Sequence, residues 1–336
     1  MKKRYDVVAV GESLIDFTPA GTNELGMQLF SRNPGGAPAN VLAMFAKLGG
    51  ETAFIGRVGN DPFGAFLTQT MREARIDVSG MQRDDEVPTT LAFVQLDEKG
   101  ERSFSFYRNP GADMMLRQAE IPAALIEGCK VLHFGSVSLT HEPSCTATLT
   151  SVQAARAAGA VISYDPNFRS FLWADLAEAK QRLLAAVSLA HLLKVSEDEM
   201  VLLTGQTELK KGAAQLARLG PQAVIVTLGE NGAYFYTAKT SGIVKTYDVS
   251  TVDTTGAGDA FWGAVLHRLR DKSIGEIETL PAEAWCEILQ FANAAGSLTT
   301  IRKGAIPAMP TMEEIRTCMS QCPLLTEDCA EASQVS

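Results

Sequence analysis

Short apolar runs, each closed by glycine or polar residues, alternate along this chain with longer segments of helical periodicity. The apolar runs predict buried strands at 7–10, 52–58, 131–133, 161–164, 192–195 and 224–228. Apolar residues spaced three and four positions apart predict helices at 38–48, 63–75, 144–158, 174–188, 197–203 and 208–219. Because strands alternate with helices, the pattern predicts an α/β fold with a parallel sheet covered by helices on both faces.

Two segments depart from this alternation. Residues 89–96 and 102–107 flank Asp97-Glu98-Lys99-Gly100, which is typical of a β-hairpin. Residues 12–34 are polar and irregular, with breaks at glycine and proline. We expect 12–34 and 86–112 to form a small separate sheet over one edge of the main domain, as a lid. Its open edge or face needs cover, and a second copy of the chain would supply it, so a homodimer through the lids is expected.

Composition and charge narrow the function classes. The chain has 336 residues, 46% of them hydrophobic, and a net charge of −9, which argues against a nucleic-acid-binding protein. No apolar stretch approaches the length of a membrane span, and 7–10 is too short for a signal sequence, so a cytoplasmic protein is expected. The six cysteines lack zinc-ligand spacing and are expected to be free thiols. The acidic end, 323–336, is expected to be a flexible tail.

The segment with the strongest chemical signal is Gly256-Ala257-Gly258-Asp259, which precedes an apolar run at 260–266. Glycines just before a helix leave backbone amides exposed at the positive end of its dipole, where they form an anion hole. Asp259 would lie in the first turn, beside that hole. An anion hole next to a carboxylate base suits phosphoryl transfer to a hydroxyl. A tight turn capped by Asp259 is the structural alternative. The chain has neither a P-loop motif nor a G-x-G-x-x-G motif after its first strand.

Two signatures extend this interpretation. The run from Thr254 to Phe261 resembles the second signature of the ribokinase-like, or PfkB, carbohydrate kinase family, and Gly35-Gly36 followed by Asn40 resembles the first. The resemblance spans about 5–322. It implies a kinase domain at 1–322 with a ribokinase-like three-layer α/β/α architecture, a mostly parallel central sheet and a small β-sheet lid.

The resemblance also implies a set of site residues. Asp259 is the expected base, and the amides of Gly256, Ala257, Gly258 and Asp259 are the expected anion hole. The sugar-binding residues implied are Asp16, Gly35, Gly36, Asn40, Phe106, Arg108 and Arg169. The ATP-binding residues implied are Lys194, Ser196, Glu199, Thr227, Gly229, Gly232 and Asn293. Ser196 replaces an asparagine that is common in the family.

The expected cofactors follow from the same resemblance. Glu199 is expected to act on Mg²⁺ through water. A monovalent cation, K⁺, is expected to be held mainly through backbone carbonyls at Asp253, Thr255, Thr299, Arg302 and Gly304.

The substrate implied by the resemblance is D-fructose, because 100–113 is similar to the lid segment of the fructokinases in this family. The expected reaction converts ATP and fructose to ADP and fructose 6-phosphate. Three alternatives stay open: a kinase for another furanose or riboside, such as ribose or aminoimidazole riboside; a 2-keto-3-deoxygluconate kinase; and a non-catalytic sugar-binding regulator.

Overall fold

The structure is a computed structural model that describes residues 4–96 and 102–325 and the backbone of 333–334. Its strands are β1 (Tyr5–Val10), β2 (Leu14–Thr22), β3 (Gln28–Gly35), β4 (Thr52–Gly59), β5 (Ile76–Asp84), β6 (Leu91–Leu96), β7 (Arg102–Tyr107), β8 (Cys129–Phe134), β9 (Val161–Tyr164), β10 (Leu192–Ser196), β11 (Ala223–Thr227), β12 (Ala233–Thr237), β13 (Thr240–Val244) and β14 (Ser333–Gln334). Its helices are α1 (Ala37–Lys47), α2 (Pro62–Glu73), α3 (Ala123–Glu127), α4 (Ser144–Ala157), α5 (Leu176–Val187), α6 (Glu197–Thr204), α7 (Leu209–Ala217), α8 (Ala257–Leu269), α9 (Ile274–Glu278), α10 (Ala282–Thr300) and α11 (Met312–Gln321). Among the described residues, no helix has the length and apolar character needed to cross a membrane.

The main sheet has the strand order β14-β13-β12-β11-β10-β9-β8-β1-β4-β5. The strands from β11 to β5 in this order pair in parallel, and β12, β13 and β14 add an antiparallel edge. The predicted mostly parallel sheet is therefore confirmed.

Helices cover both faces of this sheet because successive strand side chains point to opposite sides. In β1, Val7 and Ala9 join the core that also contains α1, α8 and α10. Val8 and Val10 join the opposite core, to which α4, α5, α6 and α7 contribute. The predicted three-layer arrangement is confirmed.

Several elements carry no clear sequence pattern. The sequence predicts no element at β5, β12, β13 or α11, and within α10 its small residues predict a helix only at 291–295. In β5, a register shift against β4 between Ala53 and Ile55 disturbs the alternation that would mark a strand. Such an irregularity depends on the partner strand, and it is therefore not visible in the local sequence.

A separate four-stranded sheet has the order β3-β2-β6-β7. The expected small second sheet is thus confirmed, although 12–34 consists mainly of two regular strands and is not irregular. Its predicted hairpin turn, 97–100, lies outside the described residues. In the predicted tail, Leu324 forms a bridge with Tyr247 and β14 pairs with β13; residues 326–332 and 335–336 lie outside the described part.

Candidate active site

The helix at the predicted anion hole, α8, begins at Ala257, directly after Gly256. Gly256 precedes the helix with a φ of 77°, and a Cβ there would lie 2.5 Å from the Cβ of Ala305, so only glycine fits. Amides in a first helical turn lack intrahelical acceptors. The Ala257 amide, however, donates to the Thr254 carbonyl at 3.2 Å. The predicted hole at 256–259 is therefore corrected: Ala257 is engaged in the turn, and Gly258 and Asp259 supply the first-turn amides.

Asp259 is buried at this helix end, with only 7% of its surface exposed. Its Oδ2 accepts a hydrogen bond from Asn40 Nδ2 at 2.8 Å, and its Oδ1 accepts one from Asn167 Nδ2 at 3.3 Å. Burial, reinforced by the charge of Asp165, raises the pKa of Asp259 to about 6, although Lys194 opposes this shift. The carboxyl group is thus held from both sides and titrates close to neutral pH, as a general base should.

The space in front of Asp259 is a cleft of about 570 Å³ between the small sheet and the carboxyl ends of the parallel strands. Ligands of open α/β sheets bind at this edge. The cleft brings together many of the predicted residues: Asp16, Gly36, Asn40, Phe106, Arg169, Lys194, Asp253, Thr255, Gly256, Gly258 and Asp259.

Asp16 and Gly36 line one side of the cleft, and Gly35 packs against Asp16. Burial raises the pKa of Asp16 to about 7, against the opposing charge of Arg169. A Cβ on Gly35 would lie 2.1 Å from Asp16 Oδ2, so this glycine makes room for the carboxylate. Gly36 has a φ of 111°, and a Cβ there would lie 2.5 Å from the Glu12 carbonyl oxygen. The two glycines therefore have different reasons to lack a side chain.

A buried ion pair supports the opposite side. Lys194 Nζ lies 2.6 Å from Asp165 Oδ2, and both side chains are less than a tenth exposed. Burial by itself lowers the pKa of Lys194, but the carboxylates of Asp165 and Glu199 outweigh it, and the net shift is upward. The Lys194 ammonium is therefore held in its charged form beside the first turn of α8, with Asp165 as its counterion.

Glu199 is bound by the backbone on both carboxylate oxygens. Its Oε1 accepts from the Phe168 amide at 2.6 Å, and its Oε2 accepts from the Ser196 amide at 2.7 Å. Ser196 Oγ in turn accepts from the Glu199 amide at 3.1 Å, which completes a capping box for α6. Burial and the charge of Asp165 raise the pKa of Glu199. Ser196, which replaces the asparagine common in the family, thus caps α6 and helps to hold Glu199 in place.

The structure corrects the expectation for Arg108. Its guanidinium lies 2.7 Å from Asp113 Oδ2, with both side chains almost fully buried, and also donates to Thr140 and Val137. Arg108 does not line the cleft. The reason is that the end of β7 turns this side chain towards residues 113 and 137–140 of the main domain, where its donors are satisfied.

The residues predicted for the far end of the nucleotide do not line the cleft either. Thr227 is the register partner of Ser196 on the neighbouring strand, and Gly229 and Gly232 follow it with positive φ. Asn293 is corrected more strongly, because its Nδ2 donates to the carbonyls of Val244 and Lys245, both at 3.0 Å. This amide holds the end of β13 in place.

Two of the residues predicted for a monovalent cation, Thr255 and Gly304, contact a third, Asp253. Its Oδ1 accepts from the Thr255 amide at 3.0 Å, and its Oδ2 accepts from the Gly304 amide at 3.0 Å. Thr299 donates to the Ala295 carbonyl within α10, and Arg302 pairs with Glu314. Within the part of the chain that the structure describes, no group of three or more His, Cys, Asp or Glu residues could hold a metal ion.

Three charged or amide residues of the cleft lining were not predicted: Glu12, Asn167 and Lys303. Asp165, which pairs with the lining residue Lys194, was not predicted either. Glu12 follows β1, and Asp165 and Asn167 follow β9, so their position after a parallel strand was the available signal. Lys303 follows α10 and has no comparable signal. Glu12 accepts a hydrogen bond from the Ala37 amide at 3.1 Å and thereby caps α1, and burial raises its pKa to about 7.

Comparisons with known proteins identify the family of this chain. Residues 4–312 match the family described as pfkB family carbohydrate kinase. A probable fructokinase-2 from Arabidopsis thaliana is 45% identical over 312 residues, which cover 91% of this chain and 93% of the relative. A fructokinase structure from Xylella fastidiosa with bound ATP has a TM-score of 0.87 at 34% identity, with 94% and 99% coverage of the two chains.

A second structure shows related ligands together. The fructokinase from Vibrio cholerae O395 in its fructose-, ADP- and calcium-bound form has a TM-score of 0.84 at 36% identity and covers 93% of this chain and 98% of its own. Because the family match spans nearly the whole chain and these relatives share its length and fold, the chain belongs to the pfkB family of carbohydrate kinases.

Proposed function

We propose that this protein transfers the γ-phosphoryl group of ATP to the primary hydroxyl of D-fructose, giving fructose 6-phosphate and ADP. The observation that carries the proposal is the position of Asp259: a buried carboxylate, held through both oxygens, in the first turn of α8 and at the wall of the cleft. The fructose bound by the Vibrio cholerae relative supports the choice of sugar.

Asp259 takes the proton of the attacking hydroxyl. The amides of Gly258 and Asp259, at the positive end of α8, hold the charge that develops on the transferred phosphoryl group. The small sheet acts as a lid that excludes water, which would otherwise accept the phosphoryl group.

Fructose is held on the side of the cleft that Asp16 and Gly36 line. Asp16 accepts hydrogen bonds from adjacent sugar hydroxyls, and Asn40 offers both a donor and an acceptor. Gly35 and Gly36 let the sugar approach the backbone closely. Phe106, which lines the cleft from the lid, covers the sugar ring.

The phosphates of ATP fit the space between α8 and Lys194. A Cβ on Gly258 would lie 3.4 Å from Lys194 Nζ, so the missing side chain keeps the gap between amide and ammonium open. Thr227 ends β11, Gly229 and Gly232 follow it, and this segment is the proposed contact of the remainder of the nucleotide. Asn293 supports that side indirectly, through the end of β13.

Magnesium and potassium are the proposed ions. Both Glu199 oxygens already accept backbone hydrogen bonds, which fits contact with Mg²⁺ through water and not directly. When bound, the ion neutralises charge on the phosphates. Asp253 keeps the loops of Thr255 and Gly304 together, as a K⁺ site built from main-chain carbonyls there, at Thr299 and at Arg302 would require.

A coupled assay of ADP release tests the proposal. We expect turnover with fructose to exceed turnover with ribose, aminoimidazole riboside, tagatose and 2-keto-3-deoxygluconate. A clear preference for one of the other substrates would replace fructose as the assigned substrate. ADP release that does not depend on any sugar would contradict the assignment of a sugar kinase reaction. No ADP release with any sugar would favour a non-catalytic regulator. The same assay with K⁺ or a large organic cation tests the monovalent site.

Arg169 and Arg108 are expected to behave differently on substitution. Arg169 lines the cleft near Asp16 and Asp259, so Arg169→Met should lower kcat for fructose more than it raises KM, because the lost charge acts on the transition state. Arg108→Met leaves Asp113 buried without its partner and should cost about 3–5 kcal/mol of stability. Steady-state kinetics and denaturant unfolding of both variants check this. A KM increase confined to an acidic sugar would contradict the fructose assignment.

We also propose a homodimer through the lids. On one face of the lid, the ring of Phe93 contacts the rings of Phe17, Phe30 and Tyr107, and Tyr107 is 67% exposed. Phe17 packs against Phe63 of α2, whereas Tyr107 on the same face of the lid is largely exposed. We expect light scattering to give twice the chain mass, and Tyr107→Lys to shift the molecule towards monomer. A wild-type monomer at assay concentrations would rule this interface out.

We place the protein in the cytoplasm. The ATP substrate and the free thiols of Cys145, Cys318 and Cys322 support a reducing and ATP-containing compartment.

A further inference from the structure

Asn167 has an unusual backbone conformation next to the proposed base. Its φ is +44°, and the other described non-glycine residue with positive φ is Arg75, at 63°. Non-glycine residues in this region cost conformational energy, and such residues concentrate at functional sites. Asparagine tolerates the conformation better than most residues do.

The surrounding loop explains why the conformation persists. The carbonyl of Pro166 accepts from the Ser136 amide at 2.9 Å, and the amide of Phe168 donates to Glu199 Oε1 at 2.6 Å. Asp165 Oδ1 accepts from the Asn167 amide at 3.2 Å. The backbone is therefore held immediately before and after Asn167, and the conformation at this position is imposed by its neighbours.

The result of this arrangement is a hydrogen bond to the base. Asn167 Nδ2 lies 3.3 Å from Asp259 Oδ1, on the opposite oxygen from the one that Asn40 contacts at 2.8 Å. With a donor on each oxygen, the carboxylate plane of Asp259 is fixed against rotation about its Cβ–Cγ bond. One donor alone would leave that rotation partly free.

We propose that Asn167 is a positioning residue that sets the orientation of the Asp259 carboxylate towards the reacting hydroxyl. The inference rests on the proposed role of Asp259 as the base. The left-handed backbone at position 167 directs the side-chain amide towards Asp259. Asn167 then holds one oxygen of the Asp259 carboxylate, and Asn40 holds the other. Orientation of reacting groups is a large part of catalysis, so its loss should appear in kcat.

Asn167→Gly separates this role from a structural one. Glycine adopts positive φ without strain, so the variant keeps the loop conformation and removes only the amide. We expect an unchanged or slightly raised melting temperature, a kcat lowered on the order of 10-fold, and a KM for fructose within about twofold of wild type. Because a carboxylate that loses a donor becomes a weaker acid, the acidic limb of the kcat profile should move to higher pH.

Arg75→Gly is the matched control. It relieves the other left-handed residue, in the connection between α2 and β5 and away from the cleft lining. We expect a raised melting temperature with kcat and the pH profile unchanged.

Three outcomes would overturn the proposal. Wild-type kcat and pH profile in Asn167→Gly would show that the amide does not act on the base. A raised KM with normal kcat would make Asn167 a sugar-binding residue. A lowered melting temperature that accounts for the lost activity would make its role structural. Turnover of wild-type protein with fructose is measured first, so a failure of the proposed substrate is seen separately, and the variants can then be compared on whichever sugar is turned over.

Discussion

Asp259→Asn is expected to lower kcat by about 10²–10⁴-fold, the usual effect of removing a general base. The amide is nearly isosteric with the carboxylate. Its single oxygen keeps one of the two asparagine donors, and the other asparagine can turn its own Oδ1 towards the new NH2 group, so the fold and the ligand affinities should persist. Single-turnover kinetics with fructose and ATP, alongside calorimetric titration of each ligand, would measure the two effects separately. Near-normal turnover in this variant would refute the assignment of the base.

The pH dependence of the wild-type enzyme tests the role of Asp259 as the base in a second way. Asp259 acts only when deprotonated, and burial raises its pKa to about 6. Activity should therefore be present above that pH and be lost as the pH falls through it, an effect absent from the residual activity of Asp259→Asn.

Asp198→Asn is the matched control. Asp198 is an exposed aspartate in the first turn of α6, whereas Asp259 is buried in the first turn of α8. We expect this variant to keep both the wild-type kcat and the acidic limb. A comparable loss in Asp198→Asn would mean that helix-end charge in general, and not a base at position 259, controls the rate.

Lys194→Met is expected to destabilise the protein by about 3–5 kcal/mol and to abolish most turnover. Asp165 would be left as a buried carboxylate without its counterion, which is the costly way to disrupt a buried pair. The cleft would also lose its fixed positive charge beside Gly258. Denaturant unfolding measures the first effect, and kcat, measured where the variant is fully folded, measures the second.

The double variant Asp165→Asn/Lys194→Met separates the two contributions. Removal of both charges should recover much of the lost stability, but turnover should stay low because the ammonium is still missing. Lys211→Met, which disrupts an exposed pair with Glu208, is the control and should leave unfolding and kcat unchanged. Recovery of turnover in the double variant would show that Lys194 has only a structural role.

The elements that could be predicted from the sequence are those with strong local patterns. Buried parallel strands such as β1 and β11 are almost continuously apolar, and α1 ends at a glycine pair, so each can be recognised without knowledge of its neighbours. The antiparallel edge β12 and β13 and the bulged β5 depend on partner strands for their regularity. Local periodicity could not reveal them.

The same division applies to the site. Gly256, Gly258 and Asp259 lie within four residues of one another, so helix geometry and the family signature identified them together. By contrast, Asn40 and Asp259 meet across 219 positions. Arg108 was expected in the cleft, yet its guanidinium pairs with Asp113, only five residues further along the chain. Asn293 likewise donates its side-chain amide hydrogens to main-chain carbonyls at the end of β13.

The sequence by itself therefore predicted the fold class, and it singled out the helix start at 256–259 and Asp259 as the proposed anion hole and base, because these signals are local patterns along the chain. Only the tertiary structure decided which polar groups are free to act. Hydrogen-bond partners and burial set that choice, and they come from segments far apart in the chain. This is why Arg108 and Asn293 turned out to be engaged, and why Asn167, in its left-handed turn, became visible as a contact of the base.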